Sequence, residues 1–162
     1  MRIAVCPGSF DPVTNGHLDI VTRASRLFDK VIVAVSVNAE KKAGFTLEER
    51  VELVRRCTAR LPNLEVDVMD ILLADYVRQR GACAIVKGLR AVSDFEYEFQ
   101  MAMANKKLYK EAETLFLTTS HQNMYLSSSL VKQIAGFGGD ISGFVPPEIV
   151  DTVMDKFYRA YL

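Results

Sequence analysis

The stretch "PGSFDPVTNGHLDI", residues 7–20, decides the fold, because the hydrophobic period changes across it. Before it, "RIAVC" (2–6) is short, apolar and β-prone. After it, Leu18, Val21, Ala24 or Ser25, and Phe28 recur three or four apart, as on one helix face. The segment itself holds two glycines, two prolines and one of the chain's two histidines. A polar, bend-prone loop therefore joins a first strand to a first helix.

The same alternation continues along the chain. "KVIVAVSV" (30–37) is a nearly unbroken β-branched run, the pattern of a strand covered on both faces. In "FTLEERVELVRR", Thr46 and Glu49 form a capping-box signature that opens a second helix. "LEVDVMD" (64–70) alternates like a strand, and "LLADYVRQRG" (72–81) reads as a helix closed by Gly81. "ACAIVKG" (82–88) gives a fourth strand. A long helix follows over 93–109, with Ser93 or Asp94 as its cap and Tyr97, Phe99, Met101 and Met103 expected in the core. "TLFLTT" (114–119) is a fifth strand. "SSSLVKQIAGFGG" (127–139) opens on cap-type serines, and "PPEIVDTVMDKFYRAYL" (146–162) is a last helix with Pro147 near its start. Strands alternating with helices imply right-handed crossovers. The expected fold is α/β: a single domain over 1–162, with a doubly wound, Rossmann-like, five-stranded parallel sheet flanked by helices.

Composition narrows the function classes. Apolar residues make up 49% and charged residues 25%, a globular balance. Lys plus Arg equals Asp plus Glu, which argues against a broad nucleic-acid-binding surface. No apolar run approaches the ~20 residues of a membrane helix, and the N-terminus lacks a signal-peptide layout. A cytoplasmic protein is expected. Cys6, Cys57 and Cys83 are too few and scattered for a disulfide framework or zinc ribbon; Cys6 and Cys83 read as small core hydrophobes.

In a doubly wound sheet, ligands bind at the carboxyl ends of the strands. The polar residues gather in those loops. Gly8 and Gly16 permit close backbone approach, and Asn15 or Thr14 can cap the first helix, whose free N–H groups suit an anion. His17 then sits in the first turn, where a ring N–H can reach the same anion. A plain turn with a satisfied histidine is the alternative for His17 alone; Ser9, Gly8 and Gly16 beside it favour phosphate. Lys41 and Lys42 follow the second strand, as partners of an anionic ligand or as a solvated pair. Lys87, Gly88 and Arg90 at the end of the fourth make a second phosphate clamp. Asp94 and Glu98 share a helix face, as a solvated acidic stripe or as site residues. Ser127, Ser128 and Ser129 exceed what capping requires. No Ser-His-Asp arrangement, metal-ligand cluster or pair of catalytic acids is spaced convincingly. The chemistry indicated is a nucleotide or phosphate-ester site that positions and neutralises.

With "AVCPGSFDPVTNGH", "FTLEER", "KGLRAVSDFEYE" and "SSSLVK" in this order, the chain resembles the bacterial phosphopantetheine adenylyltransferase family over nearly its whole length. The resemblance implies adenylyl transfer from ATP to 4′-phosphopantetheine, giving dephospho-coenzyme A and pyrophosphate by in-line attack on the α-phosphate. The H-x-G-H signature of the wider superfamily reads Thr14-Asn15-Gly16-His17 here, so threonine replaces the first histidine, as is usual in this family. By resemblance His17 stabilises the transition state and also meets ATP. Lys41 joins it in catalysis and, with Lys87, holds the acceptor's phosphate. Ser9 and Phe10 meet ATP, with Ser9 also touching the acceptor. Leu73 lines the pantetheine arm. Gly88, Leu89, Arg90 and Glu98 match ATP contacts, as does the run Asn123, Met124, Tyr125, Leu126, Ser127, Ser128 and Ser129. Mg²⁺ held largely by nucleotide phosphates and water is the implied cofactor, its protein ligands unassigned, and a homohexamer is the implied assembly. Two rivals are a sister nucleotidyltransferase with another phosphorylated acceptor and a non-catalytic nucleotide-binding module. A flavodoxin-like carrier is weaker, having no need of His17, Lys41 and Lys87.

Overall fold

The computed structural model describes residues 1–37 and 43–158. Strand β1 (Ile3–Gly8) leads to helix α1 (Asn15–Leu27), β2 (Lys30–Ser36) to α2 (Leu47–Thr58), and β3 (Leu64–Met69) to α3 (Leu73–Gln79). Then come β4 (Ala84–Leu89), α4 (Val92–Leu108), β5 (Glu113–Thr118), α5 (Ser128–Gly136) and α6 (Val150–Phe157), with short 3₁₀ turns at His121–Asn123 and Pro147–Ile149. Among these residues the sheet has five strands in the order β3-β2-β1-β4-β5, every pairing parallel. The order reverses between β1 and β4, which opens a crevice at their carboxyl ends.

The β-branched run of β2 explains the two layers. Its side chains alternate: Val31, Val33 and Val35 join Ala4 and Cys6 of β1 in one core under α1, α2, α5 and α6. Ile32 and Ala34 join Val5 in a second, smaller core with Tyr76 and Val77 of α3. A strand buried on both faces needs no polar alternation.

The caps largely follow the sequence. Thr46 and Glu49 close the expected capping box at α2, and Gly81 adopts φ +61° after α3. Three expectations need correction. Neither Ser93 nor Asp94 caps α4: the helix starts at Val92 from Ala91 without a side-chain cap, because the Asp94 carboxylate is taken by Arg90. Cys83 is exposed rather than in the core, since it precedes β4 at the amino end of the sheet. The apolar residues of α4 do not enter the core either: Tyr97 is 66%, Met103 59% and Phe99 49% exposed. The face of α4 that turns inward carries Asp94, Glu98, Ala102 and Asn105, so the apolar side chains fall on its other, exposed sides.

Candidate active site

A cavity of about 300 Å³ opens at the β1/β4 crevice. Its floor is Gly8 of β1 and Val86, Lys87 and Gly88 of β4; α1 contributes Gly16, His17 and Ile20. Two glycines make this approach possible. A Cβ on Gly8 would meet the Phe10 ring at 3.0 Å, and one on Gly88 would meet Ile20 Cγ1 at 2.9 Å. Phe10 itself has φ +49°, an uncommon conformation for a side chain of this size, and its ring packs edge-on against His17 with centroids 5.0 Å apart.

Thr14, not Asn15, caps α1. Its hydroxyl accepts from the His17 N–H at 3.3 Å, and the Thr14 N–H donates to His17 Nδ1 at 3.0 Å. Histidine thus takes the place that Glu or Gln holds in an ordinary capping box. With Nδ1 an acceptor, the neutral ring carries its proton on Nε2. Part of the ring opens on the cavity, but the side chain lies deep among protein atoms. Burial, with the charges of Arg90 and Lys87 added, lowers its pKa from 6.5 to about 4. The ring is therefore neutral at pH 7, and Nε2–H is its donor.

The cations are held by neighbours. Lys87 Nζ lies 3.4 Å from Glu98 Oε2. Arg90 Nε donates to Asp94 at 3.2 Å, and its Nη1 donates to the Leu126 carbonyl at 3.1 Å, tying the β4–α4 loop to the β5–α5 loop. Asp94 and Glu98 are thus paired with cations and do not form a solvated stripe. Ser127 caps α5 by accepting from the Leu130 N–H, and Ser128 Oγ donates to the Pro12 carbonyl at 2.8 Å. Cys6 also borders the cavity; burial pushes its thiol up to about 12, opposed by Lys87, so it supplies no thiolate at neutral pH.

A smaller hollow of about 100 Å³ adjoins the cavity, lined by Leu73, Ile85 and Met101 and sharing Lys87 and Glu98 with it. Of the residues singled out in sequence, Phe10, His17, Lys87, Gly88, Arg90, Glu98, Asn123, Leu126, Ser127 and Ser128 come together around the main cavity. Leu73 belongs to the adjoining hollow. Ser9, Leu89, Met124, Tyr125 and Ser129 lie outside the main cavity's lining, and the last three are exposed. Lys41 and Lys42 fall outside the described residues. Thr14 and Thr119, which sequence reasoning did not count among the site residues, do line the cavity.

Asp11 holds the far side of the first loop. Its carboxylate accepts from the Gly44 N–H at 2.9 Å and the Phe45 N–H at 2.8 Å, and pairs with Lys132 at 3.2 Å. Burial opposes its ionisation, but these donors and the lysine outweigh that and keep the carboxyl below its usual range. The start of α2 is thereby fastened to the first loop.

Comparison with known proteins agrees with this fold. Residues 5–134 match the cytidylyltransferase-like family. A phosphopantetheine adenylyltransferase of Caldanaerobacter subterraneus subsp. tengcongensis is 56% identical over 160 residues, covering 99% of this chain and all of that one. One from Clostridium tetani is 55% identical over 156 residues, covering 96% and 98%. Among solved structures, the nicotinic acid mononucleotide adenylyltransferase of Plasmodium falciparum shares the fold with a TM-score of 0.66 at 13% identity, covering 99% of this chain and 96% of that one. A Vibrio parahaemolyticus protein assigned provisionally as a nicotinate-nucleotide adenylyltransferase reaches a TM-score of 0.73 at 18% identity, covering 98% and 96%.

Proposed function

This chain belongs to the phosphopantetheine adenylyltransferases of the cytidylyltransferase-like family, and we propose that it transfers the adenylyl group of ATP to 4′-phosphopantetheine. An oxygen of the acceptor's phosphate attacks the α-phosphorus, a new P–O–P linkage forms, the bond from the α-phosphorus to the bridging oxygen breaks, and pyrophosphate leaves with that oxygen. Dephospho-coenzyme A is the other product.

One observation carries this reading: a neutral histidine donor in the first turn of α1 faces a crevice flanked by Lys87 and Arg90. The acceptor brings its own nucleophile, so no side chain must attack. The obstacle is repulsion between two polyanions, and cations with a helix N-terminus offset it. His17 Nε2–H donates to a non-bridging oxygen of the α-phosphate as charge builds there, the kind of contact worth about 10²–10³ in rate. Arg90 and the α5 serines meet the leaving phosphates. Lys87, at the joint of the two hollows, meets the acceptor's phosphate, exchanging Glu98 for it, and the pantetheine arm runs along Leu73. Lys41 completes the acceptor's clamp.

Mg²⁺, bound through the nucleotide's phosphates, would offset their charge. Among the described residues no three His, Cys, Asp or Glu group to hold a metal, and Glu98 is the carboxylate on the cavity wall. That donor set suits an ion carried by ATP phosphates and water. The cytoplasm is the proposed compartment; no described helix is long and apolar enough to cross a membrane. The exposed aromatic and methionine side chains of α4 support assembly into a homohexamer, which sedimentation of the purified chain would test. Pyrophosphate release with Mg²⁺ and ATP tests the reaction itself. Release with 4′-phosphopantetheine and not with nicotinamide mononucleotide is expected. Release with the latter alone would move the chain to another acceptor, and ATP binding without release would refute the enzyme reading.

A further inference from the structure

Arg50 is 4% exposed, a depth at which arginine is rare unless paired, yet no carboxylate pairs with it among the described residues. Its Nη1 donates instead to two backbone carbonyls, Ser9 at 2.8 Å and Ser36 at 3.0 Å, just past β1 and at the end of β2. Ser36 Oγ in turn donates to the Gly8 carbonyl at 3.1 Å. The Nε–H of Arg50 is buried with no partner among the described residues. A buried cation with an unmet donor is a costly way to fill space, because an apolar side chain of similar volume is often as stable or more so. Its position accounts for it.

The Ser9–Phe10 peptide is trans, so its N–H points opposite to its C=O. Arg50 draws the Ser9 carbonyl toward α2, which turns the Phe10 N–H away from α2. No acceptor for that N–H is found among the described residues, although Phe10 is buried against the cavity and lines it. The positive φ of Phe10 begins at this same peptide. Strain and an unpaired donor thus coincide where a buried guanidinium fixes the backbone.

We propose that Arg50 is a positioning residue for nucleotide binding: its guanidinium fixes the Ser9–Phe10 peptide so that the Phe10 N–H is presented to a phosphate of ATP. The assignment rests on the adenylyltransferase reading. It adds to the site a residue of α2 that touches neither substrate.

The full-length protein, labelled with ¹⁵N-phenylalanine, is compared with Arg50→Gln and Arg50→Lys by three readouts: melting temperature, the KM values for ATP and phosphopantetheine, and the Phe10 amide signal on adding a non-hydrolysable ATP analogue. In the parent, the Phe10 amide shifts on nucleotide binding. Arg50→Gln is expected to raise the KM for ATP by about ten-fold, the worth of one charge-assisted hydrogen bond, while the KM for phosphopantetheine changes less than about two-fold. Its Phe10 amide no longer responds to the analogue. Arg50→Lys keeps a cation within reach of one carbonyl and recovers part of both effects. If Arg50→Gln does not fold, the same two readouts on Arg50→Lys decide. A folded variant with parental KM for ATP and a parental Phe10 response would overturn the proposal, as would equal increases in both KM values. Failure of the parent to release pyrophosphate would sink the adenylyltransferase reading, and the amide response would still judge Arg50.

Discussion

His17 should resist protonation down to about pH 5, and the cost can be read in stability. Lowering its pKa from 6.5 to about 4 makes protonation in the folded chain about 3 kcal/mol harder than in the unfolded one, at 1.36 kcal/mol per pH unit. Between those values the unfolded state holds more protons, so stability falls as pH falls; above 6.5 the group has no effect. From pH 7.5 to pH 5 the loss comes to about 2 kcal/mol. Asp11 does not confuse the window. Its folded pKa is depressed, so its contribution is present above the unfolded value and is lost only as pH drops through the folded one. The assay is urea unfolding of the parent and His17→Gln at pH 7.5 and pH 5, where glutamine keeps an amide donor but does not titrate. The parent should lose about 2 kcal/mol more than the variant. Imidazole ¹⁵N spectra give a direct check, since the chain has only two histidines, His17 and His121. The His17 signal should report a proton on Nε2 at pH 7. Equal pH slopes for the two chains, titration of His17 near 6.5, or a proton on Nδ1 would each refute the reasoning.

Three further outcomes follow from the same contacts. His17→Ala should lower kcat by about 100-fold or more with little change in the KM for ATP, because the donor matters most once charge has built on the α-phosphate; steady-state pyrophosphate release measures both. Asp11→Asn keeps the shape but loses the charge facing Lys132 and one of two acceptors for the Gly44 and Phe45 N–H groups, and should cost about 2–3 kcal/mol in urea unfolding. Gly88→Ala places a methyl 2.9 Å from Ile20 Cγ1, so a stability loss of about 1–2 kcal/mol and a raised KM for ATP are expected; unchanged values would mean that Ile20 moves aside freely.

Much of this molecule was determined by its sequence alone. Alternating periods set the order of strands and helices, and continuous β-branched runs called for a sheet covered on both faces. Thr46 and Glu49 announced the start of α2, and Gly81 the end of α3, because capping and positive φ are local chemistry. Gly8, His17, Lys87, Arg90 and the α5 serines stood out for the same reason: polar residues gathered after strands have few purely structural uses. Only the tertiary structure decided who meets whom. His17 and Lys87 are far apart in sequence and share a cavity because β1 and β4 are neighbours in the sheet, which no local period records. That histidine would fill a capping box with Nδ1, fixing its proton on Nε2, depends on a backbone N–H whose direction residue types do not report. The apolar residues of α4 looked like core because hydrophobicity carries no address; the structure turns the side with Asp94, Glu98 and Asn105 inward and leaves the apolar ones exposed. Arg50 was hidden most completely. It lies in an ordinary amphipathic helix, and its partners are two carbonyls from distant strand ends, acceptors that every residue possesses and no sequence pattern distinguishes.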